Sequence, residues 1–173
     1  GTTYKVNIKP IGFKDVPTKV TPYQFSFNVI PLEYQIKTFG LSSDNNANEM
    51  MLRGQLLASD SVPDSAVSKV ISAKLQDQAL DVEWVHEENG KKHNFVIRGI
   101  KRDTFESILK LSWNGDKINI NTKGQKEILV PSINTFKIID ISVQHQSKNN
   151  PFIIVRFSDE LDRNQNLKGL VEL

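Results

Sequence analysis

The stretch that decides the fold is Val82-Glu83-Trp84-Val85-His86-Glu87-Glu88-Asn89-Gly90-Lys91-Lys92-His93-Asn94-Phe95-Val96-Ile97-Arg98. Two β-prone runs flank an Asn-Gly pair, the favoured centre of a type I′ turn, whose two central residues both need positive φ. A turn of that kind sets Glu88 opposite Lys91, His86 opposite His93, Trp84 opposite Phe95 and Val82 opposite Ile97. One face of the hairpin is then apolar, with an aromatic cross-strand pair at its middle. A hairpin with one face turned to a core is the unit of an antiparallel sheet.

The same pattern recurs on both sides. Downstream, Ser107 to Trp113 and Asp116 to Asn121 flank Asn114-Gly115. This predicts a second hairpin with Leu109, Leu111, Ile118 and Ile120 on one face and Trp113 beside the turn. Lys126 to Val130 is a closing strand stopped by Pro131, and Phe136 to Val143 opens another. Gln144 to Asn150 is polar, and the apolar run Phe152 to Val155 follows it.

Upstream, Tyr4, Val6 and Ile8 alternate with polar residues, as do the residues from Gln24 to Val29. Tyr34, Ile36 and Phe39 continue in extended style up to Gly40. Pro10, Gly12, Pro17 and Pro31 punctuate these runs, which places them at sheet edges, since proline cannot donate to a ladder. After a polar loop from Ser42 to Glu49, Met50 to Ala58 reads as a strand with Leu52, Leu56 and Leu57 as core candidates. The one helical signal is Pro63 before Asp64 or Ser65 as N-cap, with Val67, Val70 and Ile71 at helical spacing, two or three turns at most.

Strands separated by turn signals every ~8–12 residues predict an all-β fold, an immunoglobulin-like antiparallel sandwich with one short helix. The expected organisation is a first sandwich over residues 1–134 and the start of a second β-domain over 135–173. Residues 1–40 belong either to that sandwich or to a preceding one. A weak internal echo supports repetition. Ser59-Asp60-Ser61-Val62 and Val70-Ile71 reappear about one domain length later as Ser158-Asp159-Glu160-Leu161 and Leu170-Val171.

Composition narrows the function classes. The 173 residues carry 22 basic against 20 acidic side chains, a net charge of +2. That small excess, with no dense basic block, gives no electrostatic footprint for nucleic acid. No apolar run approaches the ~20 residues that a spanning helix needs. The absence of cysteine excludes disulfides, thiolate zinc sites and a cysteine nucleophile from these residues.

The candidate chemistry is thin. His86 and His93 face each other across the first hairpin beside Glu87 and Glu88, and two imidazoles so placed could share a metal. Sequence supplies no third ligand, so the pair is read as solvent-exposed and no metal residue is assigned. The carboxylates Asp60, Asp64, Asp81, Glu83, Asp103, Glu106, Asp159, Glu160 and Asp162 are scattered, without the converging pair that glycoside hydrolysis needs. Asp159, Asp162 and Asn164 faintly resemble a calcium turn but lack the glycine and distal glutamate of an EF-hand loop. Trp84 and Trp113 could form a sugar platform, against which their placement opposite apolar residues favours core packing. No G-x-S-x-G and no glycine-rich phosphate loop occurs. The expectation is a non-enzyme with no catalytic or cofactor-binding residues and no cofactor.

Three stretches resemble the N-terminal region of bacterial alpha-2-macroglobulin-like proteins of the Bacteroidetes type. One is Leu52-Arg53-Gly54-Gln55-Leu56-Leu57-Ala58-Ser59-Asp60 leading into Val67-Ser68-Lys69-Val70. Another is Leu111-Ser112-Trp113-Asn114-Gly115 with Ile128-Leu129-Val130-Pro131. The third joins Phe136-Lys137-Ile138-Ile139-Asp140, Val155-Arg156-Phe157-Ser158-Asp159-Glu160-Leu161-Asp162 and Asn166-Leu167-Lys168-Gly169-Leu170. The resemblance implies a macroglobulin-like sandwich within a large periplasmic or cell-surface protease trap, often lipid-anchored. In that family a protease cuts a bait segment and the molecule closes around it, in some members through a Cys-x-x-Gln thioester. No position here matches that motif. The implied role is scaffold, with neighbouring domains of the same polypeptide as partners and proteases met only by the full-length protein. Contact with membrane or nucleic acid by these residues is not expected. The rival readings are an immunoglobulin-like module of an adhesin or S-layer protein, and a carbohydrate-binding sandwich attached to an enzyme.

Overall fold

In the computed structural model, residues 2–9, 22–44, 46, 48–145, 151–164, 166 and 168 are described. The chain divides into two compact units, residues 1–33 and 34–173. In the first, β1 (Thr3–Ile8) pairs antiparallel with β2 (Tyr23–Asn28), so that Tyr4 meets Phe27, Val6 meets Phe25 and Ile8 meets Tyr23. The Tyr4 and Phe27 rings stack at 5.4 Å. The expected breaks at Pro10, Gly12 and Pro17 lie outside the described residues.

The second unit is an all-β sandwich of two four-stranded antiparallel sheets. One sheet runs β3 (Tyr34–Ser43), β4 (Glu49–Ala58), β8 (Lys92–Lys101), β7 (Val82–His86). The other runs β10 (Lys123–Val130), β9 (Ser107–Asn114), β5 (Ile71–Leu75), β6 (Gln78–Leu80). Taken in chain order as strands A to G with a C′, these are the ABED and GFCC′ sheets of an immunoglobulin sandwich. Leu52, Leu56, Phe95 and Ile97 from one sheet and Ala73, Leu109 and Leu111 from the other are buried and fill the space between them. Gly54 lies opposite Phe95, and its lack of a side chain makes room for that ring.

Two bulges change which side chains face inward. On β8 the buried side chains are His93, Phe95 and Ile97, then Ile100, and Arg102 just past its end continues the new phase. The ladder to β4 slips between the Met50–Ile100 and Leu52–Ile97 pairs, and Gly99 there has φ +65°. An extra residue at a glycine in left-handed conformation switches the facing side chain from odd to even positions. The second slip is on β3 at Gly40, φ +78°.

Several expectations need correction. Helix α1 (Asp64–Val67) is a single turn, and its N-cap position is Pro63, with no side-chain cap from Asp64 or Ser65. Val67, Val70 and Ile71 are buried as expected, yet Ile71 already begins β5. Asn114-Gly115 does not close a hairpin. Gly115 to Ile118 form a 3₁₀ turn, Asn119 takes φ 59°, and β9 pairs with β10, Trp113 opposite Gly124. Ile118 and Ile120 are nonetheless buried. The β7–β8 ladder has the expected Val82–Ile97, Trp84–Phe95 and His86–His93 pairs. Its turn is not type I′, because of Asn89 and Gly90 only Gly90 has positive φ, at +61°.

A final antiparallel pair, β11 (Ile138–His145) and β12 (Pro151–Phe157), follows the sandwich within the second unit. Of the expected polar stretch from Gln144 to Asn150, Gln144 and His145 end β11 instead; the rest of it and the repeated pair Leu170-Val171 lie outside the described residues. No helix among the described residues is long and apolar enough to cross a membrane.

Candidate functional site

The closed end of the β7–β8 hairpin brings three polar side chains together. The β-ladder fixes His86 and His93 opposite each other. Their Nδ1 atoms are 2.8 Å apart. The α1 turn supplies the third group, since Asp64 Oδ1 lies 3.5 Å from His86 Nδ1 and 3.7 Å from His93 Nδ1. A backbone bond explains the approach: Val62 N donates to Gly90 O at 2.8 Å and ties the segment before α1 to the hairpin loop. Among the described residues this is the one group of three or more His, Asp or Glu side chains placed to share a metal ion.

The surroundings are asymmetric. His93 is fully buried and His86 is about one-fifth exposed, with side-chain accessibilities of 0% and 19%, whereas Asp64 is at 59%. The expectation of a solvent-exposed histidine pair therefore fails, because α1 and Trp84 cover it. The Trp84 ring stacks on His86 at 5.8 Å and 5°, and tilts against Phe95. Burial pushes the His93 imidazole below its ordinary pKa, opposed in part by its contact with the Gly90 carbonyl. The open side faces a shallow dish lined by Pro63, Asp64, His86, Glu87, Glu88 and Gly90.

A second polar cluster lies at the other end of the sandwich. Arg102 is buried, and all five of its N–H donors have an acceptor. Nε donates to Pro131 O at 3.2 Å, Nη2 to Ser132 O at 2.6 Å, and Nη1 to Ser158 O at 3.3 Å. The two remaining donors grip both carboxylate oxygens of Asp159, a bidentate pair. Hydrogen bonds from Arg102 hold the Asp159 carboxyl below its usual pKa, with Ser158 helping. The buried Ser158 hydroxyl also accepts from Lys137 N at 2.9 Å.

The remaining candidates are dispersed. Asp60 pairs with Lys91, Glu83 with Arg98 and Glu106 with Lys137. Asp159 is committed to Arg102, and Asp162 accepts from Asn164 N in a local turn, so the faint calcium pattern does not assemble. Trp84 and Trp113 are both half-buried, each opposite a buried residue of its own sheet, Phe95 and Ile71, on β7 and β9. They are not a side-by-side exposed platform. Both Ser-Asp pairs follow a strand end. Asp60 is exposed there and accepts from Ser61 N, while Ser158 and Asp159 close over Arg102.

The register of the first hairpin pointed to His86 and His93, but Asp64 and Arg102 gave no periodic signal. Comparison with known proteins adds no identity: no family model, no curated protein and no solved structure matches the chain.

Proposed function

We propose that this chain is a non-catalytic scaffold module from the N-terminal region of a bacterial alpha-2-macroglobulin-like protease trap, held in the periplasm or at the cell surface. Its work is to space the reactive parts of the trap and to pack against neighbouring domains of the same polypeptide. The family reading rests on the resemblance of the three sequence stretches. The observation that carries the scaffold reading is the Arg102 joint. Part of the third resembling stretch, Ser158-Asp159, is closed around an arginine that the sandwich provides, with the Pro131-Ser132 link in the same knot. A fully used guanidinium with a bidentate carboxylate fixes an angle between elements, as a load-transmitting spacer requires.

Exposed apolar faces support the partner side of the reading. Tyr4, Phe25 and Phe27 on the β1–β2 hairpin and Ile141, Val143 and Ile153 on the β11–β12 hairpin are exposed. Two-stranded hairpins are marginal in water alone, so such faces suit packing against adjoining domains.

The test is a challenge of the intact protein with a broad-specificity protease, followed by gel analysis and sedimentation velocity. A trap gives a single early cut outside residues 34–130 and a shift to a more compact particle. Progressive unselective fragmentation with no compaction contradicts the proposal.

A further inference from the structure

We propose that Asp64, His86 and His93 form a binding site for a divalent transition-metal ion of the zinc type, clamping α1 to the β7–β8 hairpin with one coordination position open to solvent. The three ligand atoms stand at the corners of a triangle with sides of 2.8, 3.5 and 3.7 Å. The point equidistant from those corners is about 2.0 Å from each, the length of a zinc–imidazole or zinc–carboxylate bond. Two imidazoles and one carboxylate match zinc and its neighbours in softness, whereas calcium takes six to eight oxygens at longer range.

Hydrogen bonding leaves the right nitrogens bare. His93 Nε2 lies 3.1 Å from Gly90 O. A carbonyl only accepts, so in the neutral ring Nε2 carries the hydrogen and Nδ1 is the bare nitrogen. His86 Nε2 lies 3.5 Å from Ser68 Oγ, and that hydroxyl spends its own hydrogen on Asp64 O at 2.9 Å. Ser68 Oγ is therefore left as an acceptor, which favours the hydrogen of His86 on Nε2 as well. Two bare Nδ1 atoms then face each other beside a carboxylate, an arrangement that a cation between them stabilises. Partners on the far nitrogen of each ring are the usual outer shell of a metal-bound histidine.

The rings are held before any ion arrives. His93 sits in the core, His86 is stacked under Trp84, and Asp64 is anchored by the Val62–Gly90 bond. The dish in front of Asp64 leaves the fourth position to water or to a carboxylate from outside. Three protein ligands and one exchangeable position is the pattern of an open zinc site. The proposal is independent of the scaffold reading.

The experiment is titration of metal-stripped protein with Zn²⁺ against a competing chelator dye, repeated with Co²⁺ by visible absorption, with thermal unfolding in parallel. The expected result is saturable binding of one ion per chain, a four-coordinate Co²⁺ spectrum and a raised Tm. Asp64→Asn, at an exposed position, and His86→Gln, at a partly exposed one, keep the fold by circular dichroism and weaken binding at least tenfold. His93→Gln does the same where it folds. No saturable binding overturns the proposal. So does binding of equal strength in Asp64→Asn and His86→Gln, the mark of adventitious ligation by Glu87 or Glu88.

Discussion

Arg102 brings a positive charge to a place that water does not reach, and the desolvation is offset only because every donor is used. Truncation to Ala leaves the carbonyls of Pro131, Ser132 and Ser158 and the carboxylate of Asp159 without that partner. Because Asp159 keeps 29% of its side-chain exposure, water recovers part of the loss. Arg102→Ala is expected to cost about 3 kcal/mol in urea unfolding, the lower end for breaking a buried pair. Arg102→Lys is expected to recover little, since a point charge cannot reproduce the bidentate fork. The Asp159 carboxyl titrates below the 3.8 of an unstructured chain. Its contribution is therefore fully present above about pH 4 and is lost as pH falls through the depressed folded value. Acid unfolding of Asp159→Asn is expected to show a flatter pH dependence in that window. At Gly54, a methyl would overlap the Phe95 ring and lie 2.6 Å from the Lys37 carbonyl oxygen. Neither neighbour is a loose end, so Gly54→Ala should destabilise by about 1–3 kcal/mol in the same unfolding measurement.

The β7–β8 loop shows how an element is set by what it touches. Gly90 takes positive φ, its N–H donates to Glu87 O at 3.0 Å, and its carbonyl receives both Val62 N and His93 Nε2. Gly90→Ala puts a side chain in the left-handed region and against Ser61, with an expected loss of about 1–2 kcal/mol from the conformation alone. Thermal unfolding checks it, and no loss would mean that the loop relaxes freely. The ladder of this hairpin was legible because Val82, Trp84, Phe95 and Ile97 are apolar at matching positions. The turn type was not, because the Gly90 carbonyl is held by Val62 N, which comes from the segment before α1. The 3₁₀ turn after β9 misled for a related reason: Ile118 and Ile120 alternate with polar residues just as a strand would, and both are buried. Strands β5 and β6 were hidden behind Val67, Val70 and Ile71, whose spacing fits a helix equally well. In the candidate site, His86 and His93 followed from the register. Asp64 did not, since a lone carboxylate after a proline carries no pattern that aims it at a hairpin more than twenty residues away in sequence.

At the scale of the whole molecule, the sandwich is held by the face-to-face packing of its two sheets, while the later hairpin is joined to it through the Arg102 cluster, with β11 also lying against β3. The Gly99 bulge makes that joint by switching β8 so that Ile100 and Arg102 face inward. The immunoglobulin-like sandwich could be inferred from turn spacing, though not its strand order, since β5 and β6 gave no strand signal. The joint could not, because its partners, Arg102 and Asp159, are separated by 57 residues. A spacer role requires the hairpin and the sandwich to move as one body. Amide hydrogen exchange tests this most directly, comparing the wild-type protein with Arg102→Ala. The expected result is slow exchange in β11 and β12 of the wild type and fast exchange there in the variant, with β4 and β8 slow in both. Equal exchange of β11 and β12 in the two proteins would contradict the rigid joint on which the scaffold role rests.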